Sequence, residues 1–385
     1  MGQIESLIAL LGALYLSDCW FVVAHSAVLF RSPLLRGWTS RRGPVSFTTS
    51  TSAWILLRVL PPLGRHLVCE PWPIAVTPHF VVTRAAPRAL GGGTLTLRPV
   101  AIEAMAEARA DGKQILAGRS VVARASSVPM AKGMASLLRE LAAMKASQRE
   151  QHIARSLSKS FQVEEIERRR DELLRASAPL ATACNCLFGY LIAVVPLCLY
   201  TLGLTRSWMA LLAILVAFQV WVVFAFVRAH RQLFPDAAGQ RREHLFQMSI
   251  SPPIAVRALD ALCRDVMADF HPLAVAKVLT SEPEFQAFAR TFLRESRFGS
   301  ARRAWPEEVR GVREWFDPLE FEELSKLVAS AGDSPDKWVA APDPETGSLA
   351  YCPLCHTQFT RGDGLCDDCD GMPLVPFAAA TSAPG

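Results

Sequence analysis

The sequence predicts an α+β multi-domain membrane protein with three transmembrane helices, cytoplasmic domains and a C-terminal metal module. Three observations predict it. Half of the 385 residues are hydrophobic and the mean hydropathy is positive, which is high for a soluble protein. Two adjacent stretches, Ala178–Leu204 and Ser207–Val227, carry no charge, and each has about the 20 residues needed to cross a hydrocarbon core. Four cysteines, Cys352, Cys355, Cys366 and Cys369, fall in two C-x-x-C pairs near the C-terminus.

The first element, residues 1–30, is apolar from Leu7 to Phe30 but contains Asp18 and His25. It is either a full span or a span of roughly Ile4 to Val23 followed by a strand. A cleaved signal peptide is disfavoured, because the leading Met-Gly-Gln-Ile-Glu-Ser has no positive charge and no clean small-residue cleavage motif follows. Asp18 inside a span is a functional flag. The plainer reading places it near an interface or facing the hairpin.

Residues 31–178 form the second element, a basic α+β domain. They hold 23 Lys and Arg against 11 Asp and Glu, an excess that draws the domain to anionic inner-leaflet lipids. Strands are expected at Val45–Thr48, Trp54–Arg58, His66–Cys69, Ile74–Val76, Phe80–Thr83 and Thr94–Arg98, punctuated by prolines and Gly91-Gly92-Gly93. The glycine triplet lacks the lysine and spacing of a phosphate loop. Pro99–Arg109 suggests a short helix, Lys113–Leu116 and Arg119–Arg124 a hairpin, and Ser126-Ser127 the cap of a helix over Val128–Met144. A charged helix from Val163 to Arg175 leads into the membrane.

The third element, residues 179–228, is the helical hairpin, with only Thr205 and Arg206 between its arms. A buried hairpin in a soluble core is the competing interpretation, disfavoured because two such stretches in succession are rare in soluble folds. Cys184, Cys186 and Cys198 serve as small buried residues. Arg31, Arg36, Arg41 and Arg42 follow the first segment. Arg168, Arg169, Arg170 and Arg175 precede the hairpin, and Arg228 and Arg231 follow it. The positive-inside rule then places the N-terminus outside and the soluble domains in the cytoplasm. Arginine far outnumbers lysine, 34 to 7, as in high-GC bacteria, so the membrane is expected to be a bacterial inner membrane.

The fourth element, residues 229–345, is a helical domain and linker. Helices are expected from Ser251 to Phe270 and near Pro272–Leu279, Pro283–Glu295, Pro306–Phe316 and Pro318–Ala329, with proline at helix starts. Glu243-His244 is expected on the surface. Residues 331–349, rich in Gly, Ser, Pro and Asp, suggest a linker.

The fifth element, residues 346–378, carries the cysteines, and a tail of 379–385 follows. Two C-x-x-C knuckles bring four thiolates to one tetrahedral point. Arg361-Gly362-Asp363-Gly364 and Gly371 supply turns. Tyr351–Phe377 resembles a rubredoxin-like zinc ribbon. It departs from the usual knuckle in having His356 where glycine is common and Asp370 ahead of Gly371. The resemblance implies structural Zn²⁺ held by Cys352, Cys355, Cys366 and Cys369. Zinc is favoured over iron because the segment lacks the aromatic-packed core of a rubredoxin. His356 is an alternative ligand, disfavoured with four cysteines present. Nucleic acid is a poor partner for this ribbon, since within residues 352–369 Arg361 stands alone against Asp363, Asp367 and Asp368.

No histidine or carboxylate array marks a catalytic centre, so no catalytic residue is assigned. The expected function is a membrane-anchored scaffold or adaptor that uses the ribbon to contact a protein partner. The alternatives are an enzyme or transporter component with a site involving Asp18, His25 or the α+β domain, and a membrane-tethered nucleic-acid binder acting through the basic domain.

Overall fold

The computed structural model describes residues 21–25, 28–30, 45–47, 53–57, 67–69, 72–83, 98–125, 127–202, 207–235, 237–280, 282–303, 305–369 and 371–377. The fold is mixed and mostly helical. It divides into two compact units, each drawn from separated stretches of chain. The described residues up to Cys69 join Glu164–Asp269; those of 70–163 join those from Phe270 onward.

In the first unit, β1 (Phe21–His25) pairs antiparallel with β4 (Ala53–Leu57), setting His25 opposite Ala53. Strand β2 (Val28–Phe30) lies between β3 (Val45–Phe47) and β5 (Leu67–Cys69). The backbone is extended from Phe21, so a helix reaching Phe30 does not form. Residues 1–20, with Asp18, lie outside the described residues, as do Gly91-Gly92-Gly93 and the strand expected at Thr94.

In the second unit, β6 (Ile74–Val76), β7 (Phe80–Thr83) and β8 (Val100–Ala101) form one antiparallel sheet. Strands β9 (Arg109–Asp111), β10 (Gln114–Ala117) and β11 (Ser120–Arg124) form another, turning at Gly112 and Gly118, both with positive φ. The helix expected over Pro99–Arg109 is replaced by β8 and a single 3₁₀ turn, Ile102–Met105. Pairing of Val100 with Val81 competes for that backbone, and the tighter turn still buries Ile102 and Met105.

Helix α1 (Val128–Ala143) starts where Ser127 Oγ accepts the Met130 N–H at 3.3 Å, an ordinary serine cap. Leu137, Leu138 and Leu141 are buried. Helix α2 (Ala146–Lys159) is not signalled by its sequence, because Ile153 and Leu157 are its main apolar anchors. Its buried Arg149 explains its place. Arg149 Nε donates to the Leu141 and Met144 carbonyls at the end of α1, and Nη1 to the Pro78 carbonyl and to Glu103. One guanidinium thus serves carbonyls at a helix end, adding to the Met144 N–H that Leu141 already accepts.

Back in the first unit, α3 (Val163–Gly189) continues through a π turn, Tyr190–Val194, into α4 (Val195–Leu202). The return arm is α5 (Ser207–Leu233). Among the described residues, one helix is long and apolar enough to cross a membrane, Ala210–Leu233, with mean hydropathy 2.7 and 17% of its most apolar window buried. Leu197, Tyr200, Val220 and Phe224 are exposed. Of the hairpin cysteines, Cys184 is buried, Cys198 half-buried and Cys186 exposed, so the small-buried-residue reading holds only for the first.

Helix α6 (Ala238–Ile250) follows, then α7 (Pro252–Val256) and α8 (Ala258–Val266), where the sequence suggested one helix over 251–270. The chain breaks at Arg257, whose φ and ψ of −96° and 12° are not helical. His244 is not a surface residue: its Nε2 lies 3.2 Å from Asp265 of α8, which also accepts from Gln240 at 2.7 Å.

The rest of the second unit is helical. His271 opens α9 (Pro272–Leu279), its Nδ1 accepting the Leu273 N–H while its ring stacks on Phe161 at 4.5 Å. Helix α10 (Glu282–Phe298) ends in a 3₁₀ turn, Gly299–Ala301. Helix α11 (Glu307–Ala329) runs straight through Pro318, where the sequence suggested a new start. Phe316 there is fully buried against Trp72. Between α10 and α11 lies an ion network. Arg302 makes a two-point contact with Glu295, 2.6 Å on each arm, and Arg313 pairs with Asp317 at 3.0 Å. Both guanidiniums lie over the Trp305 ring. The presumed linker holds a short helix, α12 (Pro335–Val339), whose Trp338 is buried.

Candidate metal centre

The C-terminal module is built from five two-residue strands. β12 (Ala350–Tyr351) pairs with β13 (Gln358–Phe359) and β16 (Val375–Pro376), while β14 (Leu365–Cys366) pairs with β15 (Met372–Pro373). Such strands are too short to stand alone. What they share is a cluster of Ala350, Cys352, Cys366, Cys369, Met372 and Leu374, with the cysteines at its centre.

Each knuckle is a backbone turn around its first cysteine. In the first, the Cys352 carbonyl accepts the His356 N–H at 2.9 Å, and the Cys352 N–H donates to the Thr357 carbonyl. His356 has φ of +62°, the left-handed conformation in which glycine is common. In the second, the Cys366 carbonyl accepts the Gly371 N–H at 3.1 Å, and Gly371 has φ of +73°. The two departures from the usual knuckle pattern therefore leave the turn intact. At Gly364, φ is +116°, a conformation that favours glycine; a Cβ there would meet only the end of the exposed Arg361 side chain, at 3.2 Å.

The four sulfur atoms lie within 4.8 Å of one another. Four sulfurs at 2.3 Å from one ion, at tetrahedral angles, are about 3.8 Å apart. Cys355 and Cys366 are separated by 3.8 Å. A disulfide needs about 2.05 Å, and all four thiols are free. The set could hold one metal ion and is consistent with a zinc-ribbon-like site.

The electrostatics point the same way. Hydrogen bonds from the Cys352 and Cys369 thiols hold Cys355 far below the ordinary thiol range. Burial, then the neighbouring thiolates, push Cys366 up to about 12. Cys369 is raised further, first by its hydrogen bond to Cys352 and then by that to Cys355. Four thiolates cannot share this space without a cation, and a bound metal ion supplies one.

His356 is not gathered into the cluster. Its ring packs edge-on against Tyr351, 5.9 Å away, and burial, reinforced by Arg294, lowers its pKa to about 4. It is a neutral packing residue.

Sequence reasoning missed the partners that α10 supplies. Half-buried Arg294 donates from Nε to the Trp338 carbonyl at 3.1 Å. Burial, then the neighbouring Arg290, lowers its pKa, and the charge of Cys355 and Cys352 offsets part of that. Phe298 packs on the cysteine core, and the Arg303 N–H donates to the Gly371 carbonyl at 3.3 Å. The ribbon is therefore part of the second unit's packing, not a bead on a linker. No motif marks this, because the α10 residues lie about 60 positions upstream and carry no pattern that points to the cysteines.

No protein-family model, curated protein or solved structure matches the chain.

Proposed function

We propose that this chain is a multi-pass protein of a bacterial inner membrane that acts as a scaffold, with structural zinc in a ribbon that helps form a protein-contact surface. The observation that carries the membrane half is an apolar helical hairpin whose large side chains, among them Leu197, Val220 and Phe224, face outward. An exposed apolar surface of that extent asks for lipid or protein cover. Exposed Arg175, Arg228, Arg231 and Arg242 flank the hairpin's charged ends and suit anionic lipid head groups on the cytoplasmic side. The apolar stretch ahead of β1 would be the third span, with the N-terminus outside.

Zinc is the ion favoured by a four-thiolate set in a reducing cytosol. With its coordination filled by protein, it would leave no open position for catalysis, so its contribution is structural. The protein partner is unknown, and the acidic ribbon surface disfavours nucleic acid.

Two measurements test this reading. Purified from membranes, the full chain is expected to carry one zinc per chain by elemental analysis; iron or no metal would overturn the zinc assignment. Reporter fusions at the C-terminus are expected to be active only as cytoplasmic reporters, and periplasmic activity would overturn the orientation.

A further inference from the structure

Thirteen residues, His244–Val256, contain no charge and lie between Glu243 and Arg257. That is too short to cross a bilayer, and an uncharged run of this length suits a buried core helix or a re-entrant segment. Three observations choose between these.

The first is direction. His230 and Phe226 of α5 both face His244, with ring centroids 6.4 and 5.6 Å apart, while Gln219 of α5 meets Met248 and Ser249. As the numbering of α6 rises, that of its α5 partners falls, so α6 turns back along α5. Gln219 is nine residues before Arg228, about 13 Å along a helix at 1.5 Å per residue. The chain then descends along α3. Cys184 Sγ lies 3.5 Å from the Ala255 carbonyl, and Arg169 donates to the Val266 carbonyl.

The second is the tip. Pro252 and Pro253 have no N–H, so the carbonyls four residues earlier, those of Met248 and Ser249, receive no helical hydrogen bond. The Gln219 amide donates to these same two, at 2.5 and 2.9 Å. In water that service would be unnecessary; inside a bilayer a broken helix needs a protein donor at each freed carbonyl.

The third is the outer face. Phe246, Ile250 and Ile254 are 68, 63 and 39% exposed, whereas Met248 and Ala255 are buried. A core helix would cover these residues. They are large apolar side chains left exposed, as Val220 and Phe224 of α5 are.

We infer that α6 and α7 form a re-entrant hairpin that enters the cytoplasmic leaflet and turns at Ser249–Pro253, with acyl chains against Phe246, Ile250 and Ile254. The inference rests on the reading that α5 spans the membrane, and the experiment separates the two. The photoreactive residue p-benzoylphenylalanine replaces Phe246 or Ile250 in the full chain, reconstituted in vesicles of phosphatidylethanolamine and phosphatidylglycerol. Phe224 on the spanning helix and exposed Lys337 are the reference positions. Lipid adducts at 246 and 250 are expected within about threefold of the yield at 224, with a loss of about tenfold or more at 337, where water replaces acyl chains. Lipid adducts at 224 without them at 246 and 250, or adducts there to a second copy of the chain, overturn the re-entrant hairpin and leave the span standing. No lipid adduct even at 224 overturns the span, and the inference with it.

Discussion

His356 adopts a backbone conformation in which glycine is common, and it does so beside Cys355 of the thiol cluster. A left-handed backbone costs a non-glycine residue about 1–2 kcal/mol, and more for a β-branched one. His356→Val is therefore expected to lower the stability of the purified protein by about 1–2 kcal/mol, read by chemical denaturation. His356→Gly, which removes the imidazole and keeps the turn, should leave one metal per chain; loss of metal in that variant would make His356 a ligand. Cys366→Ser is expected to behave differently. Removing one of four thiolates forfeits much of a binding free energy on the order of 10 kcal/mol, so elemental analysis should find the metal largely lost. Proteolysis should then cut within 350–377, a segment whose core is the cysteines themselves. The four-cysteine cluster was legible in the sequence because C-x-x-C spacing is a local property. Arg290 and Arg294 were not, because nothing in a helix surface says what will dock on it.

At the scale of elements, the loop between α10 and α11 holds the second unit's ion network and the ribbon's docking edge together. Gly299 sits where a Cβ would lie 2.8 Å from Glu295 Oε1 and 3.0 Å from Arg313 Nη2. Gly299→Ala must displace the carboxylate that Arg302 grips, and is expected to cost about 1–3 kcal/mol, measured as a lowered denaturation midpoint. Arg302→Met leaves Glu295 without its two-point partner in a nearly closed site; breaking such a pair costs about 3–5 kcal/mol. An unchanged midpoint in both variants would remove the network from the account of stability. Element boundaries were legible where a cap or a long stripe marked them, as at Ser127 and along α10. They were missed where polarity hid a helix, as in α2, and where proline is tolerated inside one, as at Pro318.

At the scale of the whole molecule, the two units interleave in sequence. Residues 238–269 fold with the hairpin, while the described residues from Phe270 onward fold with those of 70–163. The hairpin's outward apolar surface predicts that the full chain stays in the membrane pellet through alkaline carbonate extraction and is released by detergent. Release by carbonate alone would point to a peripheral protein and against any span.

By itself the sequence determined the four-cysteine cluster, the uncharged hairpin and the distribution of arginine around it. Each is fixed by spacing or composition within a few tens of residues, where covalent connectivity already enforces proximity. Only the tertiary structure decided that the ribbon rests on α10, that Arg149 closes the end of α1, and that Gln219 serves two carbonyls thirty residues away. Those contacts join residues whose partners are set by packing, and a hydrogen-bond donor carries no mark in the sequence of the acceptor it will meet.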